Sequence, residues 1–132
     1  MEMKRSPEAV REHIHRRLQA HNRPYMDGGR DYSFHIEEDG AVLGGIVAGS
    51  VGDTLEVAYL YVEEAARGRG LGEALLRRAE AEAVRDGLRR VLLNTYSFQA
   101  PGFYRKMGYR QLFETAPCFD THRQFYFIKE LG

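Results

Sequence analysis

The stretch "VEEAARGRGLGEALLRR", Val62 to Arg78, sets Gly68, Gly70 and Gly72 at alternate positions around Arg67 and Arg69, then passes straight into good helix formers. Glycine caps a helix start less well than Ser, Asp or Asn. Three of them cost backbone entropy unless something must come close to the main chain. Beyond them Leu71, Leu75, Leu76, Ala79 and Ala83 fall on one helical face, with Glu73 and Arg77 paired at i, i+4 outside it and Gly87 placed to end the helix. Before them "EVAYLYV", Glu56 to Val62, reads as a strand. A strand, a glycine-rich turn and a helix start together make an anion site. Free first-turn N–H groups converge there, beside roughly half a positive charge from the helix dipole.

Working outward, an N-terminal helix is expected with Ser6 as cap, Pro7 at its first position and an apolar stripe of Val10, Ile14 and Leu18 as far as about Ala20. A loop follows, with Asp27-Gly28-Gly29 as its turn. Strands are expected at about 31–37, 41–50 and 54–62, separated by Asp39-Gly40 and Gly52-Asp53. "RRVLLNT" reads as a strand buried on both faces, and "APGFYRKMGY" as a short helix from Pro101 to Gly108. Strands at about 109–115 and 123–130 complete the chain. The order α-β-β-β-α-β-α-β-β makes the strands flanking the long helix parallel neighbours through a right-handed crossover, the others being antiparallel. The expected fold class is α/β (or α+β), with residues 1–132 as a single domain.

Lys plus Arg equals Asp plus Glu at 19 each, so a partner held mainly through phosphates, such as nucleic acid, is not expected. Cys118 stands alone, which excludes an internal disulfide and a thiol zinc site. His13 and His15 are two apart on a helix and face different ways, so no metal is called for. With no apolar run near the roughly 18 residues of a membrane span, and no apolar core in the opening residues, a cytoplasmic protein without membrane attachment is the expectation.

Two phosphate motifs can be tested against the turn. The ATP-type loop ends in Gly-Lys-Ser/Thr, whereas Gly72 is followed by Glu73 and Ala74. The dinucleotide pattern G-x-G-x-x-G fails because Glu73 stands three residues beyond Gly70. What remains is R-x-x-G-x-G, at Arg67, Gly70 and Gly72, which taken alone also suits a merely flexible helix start. With its surroundings it resembles the GNAT superfamily of N-acetyltransferases, which carry Q/R-x-x-G-x-G/A at such a junction. "EVAYLYV" looks like that family's central strand, and "APGFYRKMGY" is similar to its second signature, an aromatic-Tyr helix ending in Gly-Tyr or Gly-Phe. The resemblance covers about residues 30–131.

The resemblance implies a mixed, mostly antiparallel sheet flanked by helices, with central parallel strands that splay apart. It implies acetyl-CoA as co-substrate, its diphosphate on the amides of Arg67, Gly68, Arg69, Gly70, Leu71 and Gly72. The pantetheine arm would lie along the main chain of Leu60, Tyr61 and Val62, with Asn94 in reach. Glu56 matches the glutamate that serves as base in the histone-acetylating branch, while strand alternation equally allows a solvated side chain. Tyr104 matches the tyrosine that acts as acid beside the thioester sulfur. The N–H of Leu60 or Tyr61 would polarise the thioester carbonyl, an oxyanion-hole role. Chemistry agrees with the need for a base: an amine of pKa near 10.4 is neutral in only about one molecule in 2,500 at pH 7.

The implied reaction is direct transfer, in a ternary complex, to a primary amine on a small molecule or protein. The acceptor side is expected from the N-terminal helix and the 21–30 and 115–123 loops, with Tyr96 and Phe98 as walls and His35 and His122 as further candidates. Members of the family are often dimers, so a homodimer is the implied assembly. A coenzyme A-binding module without activity, or a transferase using another acyl-CoA, are the alternatives.

Overall fold

The computed structural model describes residues 1–26 and 29–132. Asp27 and Gly28, and with them the turn expected there, lie outside the described residues. The elements are α1 (Glu8–Asn22), β1 (Phe34–Glu38), β2 (Ala41–Val51), β3 (Thr54–Val62), a 3-10 turn (Glu64–Ala66), α2 (Leu71–Arg85), β4 (Arg90–Tyr96), α3 (Pro101–Lys106), β5 (Arg110–Cys118) and β6 (His122–Glu130).

The strands form one sheet in the order β1-β2-β3-β4-β6-β5. Among the described residues only the β3–β4 neighbours pair in parallel, joined by a crossover through α2; α3 carries the chain from β4 to β5, but β6 inserts between those two strands. The hairpin after β1 turns on Asp39 (φ 52°) and Gly40 (φ 80°), both left-handed, which suits the twist of the flanking strands. The parallel ladder runs from Thr54↔Arg90 to Val57↔Leu93 and stops, although β3 continues to Val62 and β4 to Tyr96. At that point the β2–β3 register slips between Val47 and Ala48, leaving Ala58 as an extra residue on β3. Such a bulge bends and over-twists its strand. Here it turns β3 away from β4 and opens the sheet.

The core lies between α2 and the inward faces of the strands. Leu75, Leu76, Ala79 and Ala83 of α2 are buried against Ile46, Leu55, Val57, Val91, Leu93, Phe125 and Phe127. Burying Leu76 or Phe127 outright contributes roughly 1.5–3 kcal/mol each. Gly87 ends the helix at φ 82°: its N–H donates to the Val84 carbonyl and that of Leu88 to Ala83. Leu71, expected on the buried face, is half-buried, and Glu80 joins that face instead.

Two further expectations are corrected. The cap of α1 is Pro7, in extended backbone, not Ser6: the Pro7 carbonyl accepts the first bonds, from Val10 and Arg11. Its φ of −68° suits either position, so the difference rests on ψ, which is 169°. The strand expected to be buried on both faces is buried on one: Val91, Leu93 and Thr95 face the helices, while Leu92 and Tyr96 are half-covered and Asn94 is exposed. No residue of α1 is buried, so its apolar stripe of Val10, Ile14 and Leu18 faces outward.

Candidate functional site

Where β3 and β4 part, a cleft of about 970 Å³ opens. Val57 to Val62 form one wall and Leu93 to Thr95 the other, and the turn 66–68, α2's first residues, Phe98 to Ala100, Phe103 and Tyr104 complete the lining. Leu60, Tyr61, Val62, Arg67, Gly68, Gly70, Leu71, Gly72, Asn94 and Tyr104 therefore meet in one cavity. Arg69 does not line it, since its guanidinium pairs with Glu38 of the first hairpin at 2.9 Å. Glu56 lines a smaller recess of about 230 Å³ with Leu92 and Tyr126, and this recess shares Val57, Ala58, Leu93 and Asn94 with the cleft. The two cavities thus adjoin through the gap in the sheet. Among the described residues α1 contributes to neither.

Among the described residues the turn leaves its backbone donors free. Gly68 (φ 81°) and Gly70 (φ 76°) are left-handed, and a Cβ at either would point into open space, so backbone conformation demands glycine there. Gly72 is different: its Cβ would sit 3.8 Å from Phe103 and Val62, ordinary contact, so nothing within the chain requires glycine. Among the described residues the first helical bond runs from Ala74 N–H to the Gly70 carbonyl, and no group accepts from the amides of Gly68 to Glu73. Arg67 lies beside them, donating from Nε to the Val62 carbonyl at 3.0 Å with its guanidinium 5.6 Å from the Tyr61 ring centre. The β4-facing edge of β3 beyond Val57 has no strand partner.

α3 delivers Tyr104 to the same cleft. Its ring is packed among Phe103, Tyr109 and Phe127, and burial pushes its hydroxyl up to about 12. It is therefore protonated at every physiological pH. Beneath it sits a buried polar group that the sequence reading did not single out. The Tyr109 hydroxyl donates to Glu80 at 2.6 Å, and Lys129 Nζ donates to Glu80 at 3.1 Å and to the Met107 carbonyl at 2.9 Å. Burial first, and then the Glu80 carboxylate, raise the Tyr109 pKa. These bonds tie α2 and β6 to the end of α3. Glu80 carried a signal in its spacing, four residues after Leu76 on the apolar face.

Glu56 is exposed, with no partner among the described residues, and points to the face of the sheet away from α2. His35 is exposed and paired with Glu37 on the first strand, whereas His122 packs edge-on to Phe98 with ring centres 4.8 Å apart. Cys118 is a half-buried free thiol. Among the described residues no cluster of three or more His, Cys, Asp or Glu side chains gathers as for a metal ion. None of their helices is long and apolar enough to cross a membrane.

Comparison with known proteins decides the family. The sequence model of the Acetyltransferase (GNAT) family matches residues 2–109. The chain belongs to this family. The GNAT chain is 45% identical over 74 residues to a blasticidin-S acetyltransferase of Streptomyces morookaense, a match covering 55% of this chain and 54% of that protein. It thus spans about half of that curated relative. The crystal structure of an acetyltransferase from Bacillus cereus superimposes with a TM-score of 0.85 at 28% identity, covering 99% of this chain and 98% of that one. A Bacillus anthracis structure in complex with acetyl coenzyme A shares the fold, with a TM-score of 0.68 at 16% identity over 81% of this chain and 66% of that one.

Proposed function

We propose that this chain is an N-acetyltransferase that moves the acetyl group of acetyl-CoA directly onto a primary amine. The observation that carries the reading is the run of unpartnered amides from Gly68 to Glu73, opening on a cleft that ends at Tyr104. A diphosphate fits donors of that kind at a helix start, and Arg67 adds a positive charge beside them. The edge of β3 at Leu60 to Val62 offers main-chain groups to the amide-bearing arm, with the Val62 carbonyl bonded to Arg67 until the arm displaces it. Acetyl-CoA supplies the activated acyl group. The relative named for blasticidin S supports a small-molecule acceptor.

Each residue then has a task. Glu56 accepts the proton of the acceptor ammonium, directly or through one water, so that the amine enters the gap as a nucleophile. The N–H of Leu60 or Tyr61 stabilises charge on the carbonyl oxygen during attack. Tyr104 donates a hydrogen bond to the departing sulfur. Burial pushes its hydroxyl up to about 12, so Tyr104 holds its proton more tightly than a free tyrosine does. Tyr104 thus works chiefly as a donor that keeps its own proton, and the sulfur takes the second proton, which the nitrogen loses as the C–N bond forms and the C–S bond breaks. Losing a hydrogen bond to a charged group costs about 1.5 kcal/mol or more, so Tyr104→Phe is expected to lower kcat about tenfold with coenzyme A affinity unchanged. Steady-state rates alongside calorimetric titration check this, and parental turnover would remove Tyr104 from the reaction.

The reading as a whole is tested in two stages. Coenzyme A at 100 times its dissociation constant should add about 2.7 kcal/mol of stability, with no comparable effect from ATP. Thiol release from acetyl-CoA should then appear with at least one class of amine in a panel that includes blasticidin S. Stabilisation without thiol release from any amine would leave a coenzyme A-binding module in place of an enzyme.

A further inference from the structure

The face of the sheet around the Glu56 recess carries aromatic rings that the core does not use. Tyr96 and Phe98 stack with ring centres 5.4 Å apart and planes 7° from parallel. Phe119 meets Tyr96 edge-on at 5.4 Å. Phe98 is 61% and Phe119 62% exposed. Apolar surface of this kind, gathered in one place beside a cavity, marks a binding surface more often than scattered single residues do.

The group is held in position. Gln124 Nε2 reaches the Tyr96 hydroxyl at 3.5 Å and that of Tyr126 at 3.2 Å. The loop carrying Phe98 is pinned at Ser97, whose N–H donates to the Arg123 carbonyl and whose hydroxyl accepts from the Arg123 N–H. The group adjoins the cleft, which Phe98 lines, and Gln124 links it to Tyr126 of the Glu56 recess. Asn94, at the gap, and Tyr96 lie two residues apart on one face of β4, about 7 Å at strand spacing.

Resting on the acetyl-transfer reading, we propose that the acceptor carries a planar unsaturated ring joined to its amine through a saturated linker. The ring lies on the Tyr96–Phe98 platform while the ammonium sits at Glu56. Aliphatic polyamines and sugar-based amines, which offer no flat unsaturated face, are disfavoured. An aromatic platform attracts a second ring by stacking as well as by area, and a single-carboxylate recess suits one cation.

The test uses the protein saturated with coenzyme A, which cannot acetylate, and reads binding of tryptamine, hexylamine and spermidine by NMR titration. Tryptamine is expected to bind at least about tenfold more tightly than the others. Phe98→Leu, which keeps apolar bulk at an exposed site but removes the flat ring, is expected to reduce that preference below about threefold. Equal affinity for the three amines, saturable binding by none, or a preference untouched by Phe98→Leu would overturn the proposal. Turnover separates the two readings. A protein that prefers tryptamine yet never releases thiol from acetyl-CoA refutes the transferase, whereas one that binds and acetylates all three alike refutes only the ring.

Discussion

At pH 7 the Glu56→Gln variant is expected to turn over about a hundredfold more slowly than the parent, and to regain most of the loss as the pH rises toward 10. The size follows from removing a positioned base, typically worth two to four orders of magnitude. The recovery follows from the acceptor: an ammonium near pKa 10.4 deprotonates unaided as the pH climbs, so the carboxylate becomes dispensable. Because Glu56 is exposed and touches neither the glycine turn nor α3, coenzyme A affinity and unfolding midpoint should not move. A pH–rate profile parallel to the parent's throughout would show that Glu56 is only a solvated strand residue.

The second large effect is on stability. Lys129→Met should lower the free energy of unfolding by about 2–3 kcal/mol, read from urea midpoints. The buried carboxylate of Glu80 would keep only the Tyr109 hydroxyl, and the Met107 carbonyl would lose its donor. Removing one member of a fully buried pair costs about 3–5 kcal/mol. The figure here is smaller because the Lys129 side chain is 23% exposed and water can take part of its place. As the same bonds hold the end of α3, kcat should fall further than the stability loss alone accounts for at temperatures where the variant is fully folded. A change below about 0.5 kcal/mol would mean that Glu80 is satisfied without Lys129.

Much of this architecture was legible because local chemistry and global fold agree. Asp39-Gly40 is a hairpin signal and both residues are left-handed; Gly87 closes α2 as its position promised. The glycine turn was legible for the same reason, since Gly68 and Gly70 are both left-handed. Other features depended on partners that no local pattern names. Val10, Ile14 and Leu18 have helical spacing, yet periodicity says nothing of what covers the stripe, and here the stripe faces outward. Arg69 reads as a phosphate ligand from its place in the turn, but Glu38, thirty-one residues earlier, takes its guanidinium. Glu80 has the spacing of the apolar face, but its partner is named only when β6 brings Lys129 beneath it. The insertion of β6 between β4 and β5 is equally long-range, since it sets which rings share the face beside Glu56.

The central claim is that bare amides at the start of α2 hold the diphosphate of acetyl-CoA. The most direct measurement is an amide-resolved NMR titration of the protein with coenzyme A, following Gly68 to Glu73. The account predicts that these amides move the most, downfield as they gain charged acceptors, and that the shifts vanish when pantetheine lacking the diphosphate is used instead. Saturable coenzyme A binding that leaves Gly68 to Glu73 unmoved would contradict it.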